Sequence, residues 1–387
     1  MLIVKRLRPL FDRKRSAKRF RDSAVRDGAA SPAKEVSPMK SVVLPVEGWR
    51  KVVHFTDEAA GLDAIIAVHD ATLGPGCGGC RIFPYSSFEA GLEDVKNLSR
   101  GMTYKNALGG IPFGGGKAVI FADPKSGKTP ALLKAFGRAV DSLEGLYYTA
   151  EDSGVTEADL AMIRSVTPYA AGMETKGIGG NPSPFTARGV WRGMQAAAKH
   201  KLGVGSLAGL KVSILGVGAV GMELARLVHE EGGELVVADI NKAAVTQAVA
   251  NYGAKAVAPE DAIAADVDIY APCALGGSIN VGTIDRLKAK IVAGAANNQL
   301  KTPDMDQALK DRGVLYCPDY VINGAGVISV GLEITGKWTA AEMTRRIDNI
   351  GVTLSGIFNR AELEDAPTGA IADKMALEVI AKGKKAA

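Results

Sequence analysis

Two lysines and one aspartate stand in turns where they could do chemistry. Lys117 closes a glycine run, GGIPFGGGKA (109–118), Lys105 lies in MTYKN (102–106), and Asp152 lies in TAEDSG (149–154). A lysine that is desolvated beside a second cation gives up its proton more readily, which base catalysis by an amine requires, and a nearby carboxylate can shuttle the proton. The three side chains are therefore a candidate acid–base centre if their loops converge on one cleft. Spacing alone leaves a set of solvated surface charges open as the alternative. The glycine run is not a phosphate loop: Ile111 stands where the first glycine of G-x-x-x-x-G-K-[ST] belongs, and Ala118 where the magnesium-binding hydroxyl belongs.

A second motif, GVGAVG (216–221), follows an apolar strand pattern and opens a helical one, and Asp239 ends the next strand pattern 18 residues after Gly221. That context reads as a dinucleotide site. Gly216 permits the tight turn, Gly218 lets backbone approach a pyrophosphate, and Gly221 lets the helix pack on the sheet. The helix N-terminus offers free N–H groups to the anion. Asp239 would accept from the ribose hydroxyls and repel a 2′-phosphate, which favours NAD over NADP. A glycine turn without a ligand is the competing reading.

The elements that must position these groups fall into two sets. In the first half, LDAIIAVHDATLG (62–74) begins as a strand, and FEAGLEDVKNLSRGMTYKNALGG (88–110) has helical spacing at Leu92, Val95 and Leu98 and ends in glycines. KAVIFADP (117–124) reads as a buried strand. TPALLKAFGRAVDSLEG (129–145) reads as a helix capped by Thr129 with Pro130 at its first position, and LYYTAEDSG (146–154) as a strand entering a polar turn. KGIGGNPSPFT (176–186) is a hinge candidate, followed by a helix over roughly 186–202. Strands and helices then alternate: LKVSILG, AVGMELARLVHEEG, ELVVADI, NKAAVTQAVANYG, VDIYAPC, KIVAGAA and a strand at VLYCPDYV (314–321). Such alternation implies a parallel sheet covered on both faces. Residues 324–387 are mostly helical and are expected to return to the first domain.

Residues 1–38 hold eleven Lys or Arg against four Asp or Glu, a net +7, so the rest of the +5 chain is slightly acidic. That body gives no reason to expect nucleic acid, and no apolar run approaches the ~20 residues of a membrane span. The basic start lacks the apolar core of a secretory signal and reads as a disordered tail, with Met39 as an alternative beginning, or else as a targeting or docking arm. Without that signal, Cys77, Cys80, Cys273 and Cys317 are expected to be free thiols in a reducing cytoplasm. CGGC (77–80) is a single pair, read as packed or pocket-lining rather than redox-active or metal-binding. The four histidines occur in no paired spacing, and no metal is expected.

The ordered set AIIAVHDATLGPGCGGCR, GMTYKNALGGIPFGGGK, YYTAEDSG, GNPSPFTARGV, GVGAVG, ADIN, PCALGG, GAANNQL and PDYVINGAGV resembles the Glu/Leu/Phe/Val amino-acid dehydrogenase superfamily, most like its leucine branch, from about residue 46 to at least 335. The resemblance implies an α/β chain of two domains separated by a cleft: a substrate/catalytic domain (39–183 plus helices of about 324–387) and a Rossmann NAD-binding domain (184–323). It implies that Lys105 binds the substrate α-carboxylate, that Lys117 is the catalytic lysine with Asp152 as proton partner, that Asn297 contacts the substrate, and that Thr186 contacts the nicotinamide amide. The glycines beside Lys117 are then expected to clear space for substrate.

For the side-chain pocket it implies walls at Cys77, Ala150, Val327 and Val330. Cys77 holds the place of the lysine, and Val330 that of the serine, which hold a distal carboxylate in the glutamate branch. Leaving such a charge unpaired is costly, so leucine, valine or isoleucine is expected, with phenylalanine next. Cys77, Cys80 and NGAG (323–326) depart from the family pattern. The implied partners are the amino acid, its 2-oxo acid and ammonia, in a homo-oligomer. Dehydrogenation of another small substrate and an inactive NAD-binding sensor are the other readings.

Overall fold

The computed structural model describes residues 39–174 and 181–386. The basic segment 1–38, and residues 176–180 of the hinge candidate, lie outside the described residues.

The first sheet contains β1 (Lys40–Val43), β2 (Lys51–Asp57), β3 (Leu62–Asp70), β4 (Gly76–Phe83), β5 (Gly114–Phe121) and β6 (Tyr147–Ala150), in the order β1-β2-β3-β5-β4-β6. β1, β2, β3 and β5 pair antiparallel, whereas β4 runs parallel to both β5 and β6. The apolar run of β3 is explained by burial on both faces. Ala64, Ile66 and Val68 join Leu132, Leu133 and Phe136 of α2 (Pro130–Asp141), while Ile65 and Ala67 face the side covered by Val95 of α1 (Phe88–Leu108). Ser87 caps α1 and Thr129 caps α2, each through its hydroxyl. α3 (Glu157–Arg164) starts with a reciprocal Thr156/Asp159 capping box.

β4, GCGGCRIF, begins with a weak strand signal, because glycine is a poor strand former. Pairing with β5 and β6 makes it a strand, and that close pairing admits only glycine at 78 and 79. A Cβ on Gly78 would lie 2.0 Å from the Gly116 carbonyl oxygen, and one on Gly79 would lie 2.5 Å from that of Glu151.

The second sheet is parallel throughout, in the order β12-β11-β10-β7-β8-β9. Its strands are β7 (Lys211–Leu215), β8 (Glu234–Ala238), β9 (Lys255–Ala256), β10 (Ile269–Pro272), β11 (Ile291–Val292) and β12 (Leu315–Tyr316). Its helices include α4 (Ser183–Leu202), α5 (Ala219–Glu230), α6 (Lys242–Tyr252) and α7 (Asp304–Asp311). The strand expected over 314–321 is shorter than its apolar pattern. It stops at Tyr316, Pro318 has no N–H to continue the ladder, and the chain turns into α8 (Asp319–Ile322).

The C-terminal helices are α9 (Ala325–Ile334), α10 (Ala340–Glu364) and α11 (Thr368–Ala386). α10 lies along α4, where Gly189 and Gly193 admit Ile350, Ile322 and Leu354. α11 lies against α1, with Ala376 and Ile380 meeting Ala107. Among the described residues no helix is long and apolar enough to cross a membrane.

Candidate active site

A cavity of about 600 Å³ gathers Lys105, Lys117, Asp152, Asn297, Cys77, Ala150, Val327 and Val330 on one wall or another. These residues come from β4, α1, β5, the end of β6, the loop after β11, and α9. The surface-charge alternative therefore does not hold: the Lys117 side chain is only 8% exposed, and half-buried Lys105 faces the same cavity.

Lys117 projects from β5 opposite Ala67 of β3. Its Nζ lies 2.6 Å from Oδ2 of Asp152, which follows directly after β6. Burial pushes the Asp152 carboxyl up, but the adjacent charges of Lys117 and Arg81 outweigh it and hold the group below the usual aspartate range. Arg81 approaches the same oxygen through Nε at 3.4 Å, and its Nη1 donates to Asp94 at 3.0 Å.

The glycines before Lys117 do not clear space for substrate, as the sequence reading expects. A Cβ on Gly114 would lie 1.9 Å from the Asp70 carbonyl oxygen, one on Gly115 2.3 Å from that of Ser99, and one on Gly116 2.6 Å from the Tyr147 ring. Of the three, Gly115 lets α1 lie against β5, which sets Lys105 and Lys117 in one cavity. Asn106 of α1 fastens this contact, donating to the carbonyls of Cys77 and Gly114.

Lys105 donates from Nζ to Asn323 Oδ1 at 2.6 Å, and Asn323 Nδ2 donates to Asn297 Oδ1 at 2.8 Å and to the Ala295 carbonyl at 3.1 Å. Burial lowers the Lys105 pKa to about 8, with Asp319 opposing and Lys117 reinforcing the shift. Asn323 and Asp319 were not singled out from the sequence, although both lie within PDYVINGAGV. Their place becomes evident only when α8 meets α1.

The opposite end of the cavity is apolar. Cys77, Ala150, Val327 and Val330 line it, and Gly172 lies beside Ala150 and Val330. Behind them sits Glu333, whose carboxylate accepts from the Gly172 N–H at 2.8 Å. Burial first, and then Glu333, push the Cys77 thiol up to about 12. Cys80, three residues on, packs into the separate core under α2, so the CGGC cysteines serve different clusters.

At the second sheet, Gly216 has φ +99° and a Cβ on it would strike Ala274, while one on Gly221 would lie 1.9 Å from the Gly216 carbonyl oxygen. Gly218 has nothing within 4 Å of its Cβ position and stands at the N-cap of α5, which has no side-chain cap. Tight turn, open cradle and uncapped helix start fit a dinucleotide pyrophosphate. Asp239 sits at the end of β8, each carboxylate oxygen accepting one backbone N–H at 2.8 Å, from Val217 and Asn241. A carboxylate oxygen has lone pairs to spare for further donors. Thr186, in the first turn of α4, is not on the cavity wall itself; its Oγ1 lies 3.9 Å from the Cβ position of Gly326, which is.

Comparison with known proteins identifies the family and the fold. Residues 50–169 match the family model described as Glu/Leu/Phe/Val dehydrogenase, dimerisation domain, and residues 237–363 match that described as Glutamate/Leucine/Phenylalanine/Valine dehydrogenase. A leucine dehydrogenase of Geobacillus stearothermophilus is 48% identical over 87% of this chain and 92% of its own length. A valine dehydrogenase of Streptomyces virginiae is 43% identical over 85% of this chain and 93% of its own. The crystal structure of L-tryptophan dehydrogenase from Nostoc punctiforme aligns with a TM-score of 0.78 at 41% identity, covering 87% of this chain and 97% of that one.

Proposed function

The chain belongs to the Glu/Leu/Phe/Val dehydrogenase family, and from that premise we propose that it oxidatively deaminates a branched apolar L-amino acid with NAD. Leucine, valine and isoleucine are the substrates of choice. The overall change is L-amino acid, NAD⁺ and water to 2-oxo acid, ammonium, NADH and a proton, and it is reversible. The observation that carries this reading is the buried Lys117–Asp152 pair in one cavity with Lys105 and with the apolar walls Cys77, Ala150, Val327 and Val330.

Lys105, held by Asn323, is the receptor for the substrate α-carboxylate, and Asn297 steadies the α-amino group beside it. NAD bound to the second sheet would supply the hydride acceptor for the substrate Cα–H, and the substrate's Cα–N bond would become that of an imine. Lys117 then removes a proton from the water that attacks this carbon. Asp152, already ionised at 2.6 Å, passes protons between Lys117 and the departing ammonia. The pocket end formed by Cys77, Ala150, Val327 and Val330 takes the side chain. A distal carboxylate there would meet Cys77 and Val330, with the Glu333 carboxylate behind them, which disfavours glutamate. One methylene is worth only ~1–3 kcal/mol, so several branched substrates are accepted.

Gly216, Gly218, Gly221 and Asp239 hold the dinucleotide, and Thr186 reaches its nicotinamide end. The substrate/catalytic domain comprises 39–183 with helices of 324–387, and the dinucleotide domain 184–323. Support for a homo-oligomer is the match to a dimerisation-domain model and the edge strand β1, whose Val42 and Val43 are 56% and 64% exposed. Support for the cytoplasm is that all four cysteines are free.

The deciding experiment follows NADH formation with NAD or NADP and a panel of leucine, isoleucine, valine, phenylalanine and glutamate. Branched substrates with NAD should lead. A preference for glutamate sinks the pocket argument and leaves the lysine mechanism standing. Lys117→Ala should lose ~10²–10⁴-fold in kcat while still binding NADH; normal turnover by the folded variant refutes the mechanism.

A further inference from the structure

We propose that Arg81 is a positioning residue for Asp152, a fixed positive charge that keeps this carboxylate ionised and aimed while the charge on Lys117 changes during turnover. The inference rests on the proton-shuttle reading of Asp152 given above.

Arg81 leaves β4 four residues after Cys77 and lines the same cavity. Its Nε is buried and has no partner with ordinary hydrogen-bond geometry; the nearest acceptor is Asp152 Oδ2 at 3.4 Å. The rest of the guanidinium is anchored: Nη1 donates to Asp94 Oδ2 at 3.0 Å, and the Tyr85 hydroxyl donates to that same oxygen. A row Tyr85–Asp94–Arg81–Asp152–Lys117 thus runs from the start of α1 into the catalytic cavity. Arg81 is its middle member, touching Asp94 on one side and Asp152 on the other.

The reason for an arginine is the proton cycle. When Lys117 acts as a base it starts neutral, and the Lys117–Asp152 pair then has one charge instead of two. Without Arg81, Asp152 would then be a buried carboxylate with much less to offset its desolvation, and it would take up a proton more readily. A carboxylic acid cannot accept the proton that Lys117 must pass on. Arg81 retains all its N–H protons throughout, because a guanidinium does not deprotonate in a protein. The groups facing Asp152 are Lys117 from β5, Arg81 from β4 and Lys105 from α1, with the Cys80 thiol and the Tyr147 phenol both kept neutral by burial. Of the three cations, Lys117 changes charge during turnover and Lys105 is engaged by the substrate carboxylate, which leaves Arg81 as the fixed charge given over to Asp152.

The test is the pH profile of kcat for Arg81→Met, Arg81→Lys and Asp152→Asn, with melting temperature and NADH binding as folding controls. Arg81→Met should lower kcat by ~10–100-fold and move the acid limb of the profile upward by about one pH unit or more, with KM changed less than ~3-fold. Arg81→Lys restores the charge without the fork that Asp94 grips, so it should keep the limb near its wild-type place and recover part of kcat. If Arg81→Met does not fold, Asp94→Asn frees the guanidinium and should shift the limb in the same direction. A folded Arg81→Met with an unmoved limb, or equal losses in Arg81→Met and Arg81→Lys, overturns the proposal. An inactive Asp152→Asn beside an indifferent Arg81→Met overturns this inference alone; wild-type turnover by Asp152→Asn overturns the shuttle reading with it.

Discussion

Gly79→Ala should disable catalysis without touching any group that does chemistry. The added Cβ would lie 2.5 Å from the Glu151 carbonyl oxygen and 2.8 Å from Asp152 Cβ, where ordinary contact begins at 3.4 Å. Both neighbours are tied to backbone, so no flexible side chain can yield, and residues 151–152 must retreat by roughly 1 Å. Lys117 and Asp152 are paired at 2.6 Å. A retreat of that size takes them beyond direct proton transfer, and a misplacement of about 1 Å can cost on the order of 100-fold in rate. Overpacking of this kind costs roughly 1–3 kcal/mol of stability, which a chain of this size survives. The assay is initial-rate NADH formation at saturating amino acid, with a thermal melt and NADH titration on the same sample. Gly205→Ala is the control, because its Cβ would meet nothing within 4 Å. Wild-type kcat in a folded Gly79→Ala protein would refute the claim that β4 sets the position of Asp152. A loss of NADH affinity in step with kcat would point to general damage instead.

Three further outcomes follow from the same geometry. With its pKa lowered to about 8, Lys105 should hold the carboxylate of a 2-oxo acid tightly below that pH, and the KM for 2-oxo acid in reductive amination should climb above it; a flat KM from pH 7 to 10 would remove Lys105 from carboxylate binding. The sign for stability is the opposite. Between about 8 and the ordinary 10.5 the unfolded chain holds a proton that the folded one has released, so this group's contribution to stability grows with pH across that window, and denaturation midpoints of wild type should gain on those of Lys105→Met over that range. Asp239→Ser should raise kcat/KM for NADP relative to NAD by at least ~10-fold, because a like charge beside a 2′-phosphate costs several kcal/mol; an unchanged ratio would mean that Asp239 serves only the Val217 and Asn241 N–H groups.

The glycine at position 79 also shows where a sequence can be read and where it cannot. Local signals are legible one at a time. Ser87 and Thr129 cap the helices they precede, GVGAVG sits between a strand and a helix, and the alternating pattern from 210 onward builds a parallel sheet. Lys105, Lys117 and Asp152 were singled out by residue type and motif, and the resemblance to a family gave each a role. What glycine does is less legible, because a missing Cβ can serve a ligand or a neighbouring backbone. The run before Lys117 reads as room for substrate, yet it is filled by Asp70, by α1 and by Tyr147. The glycine-rich start of GCGGCRIF has little strand propensity, and the segment is nonetheless the strand between β5 and β6.

The sequence by itself determined which groups could react and most local elements, because capping, periodicity and turn chemistry act over a few neighbouring residues; it reads Lys105 and Lys117 as turn residues, whereas they lie inside α1 and β5, where packing extends helix and strand past the glycines. Tertiary structure alone decided which of them meet. Arg81 and Asp152 are 71 positions apart and Lys105 and Asn323 are 218 apart, yet each pair is in direct contact. Those contacts come from strand order in a mixed sheet and from the packing of α8 against α1. Such long-range pairings are fixed by the burial of whole faces rather than by any local preference.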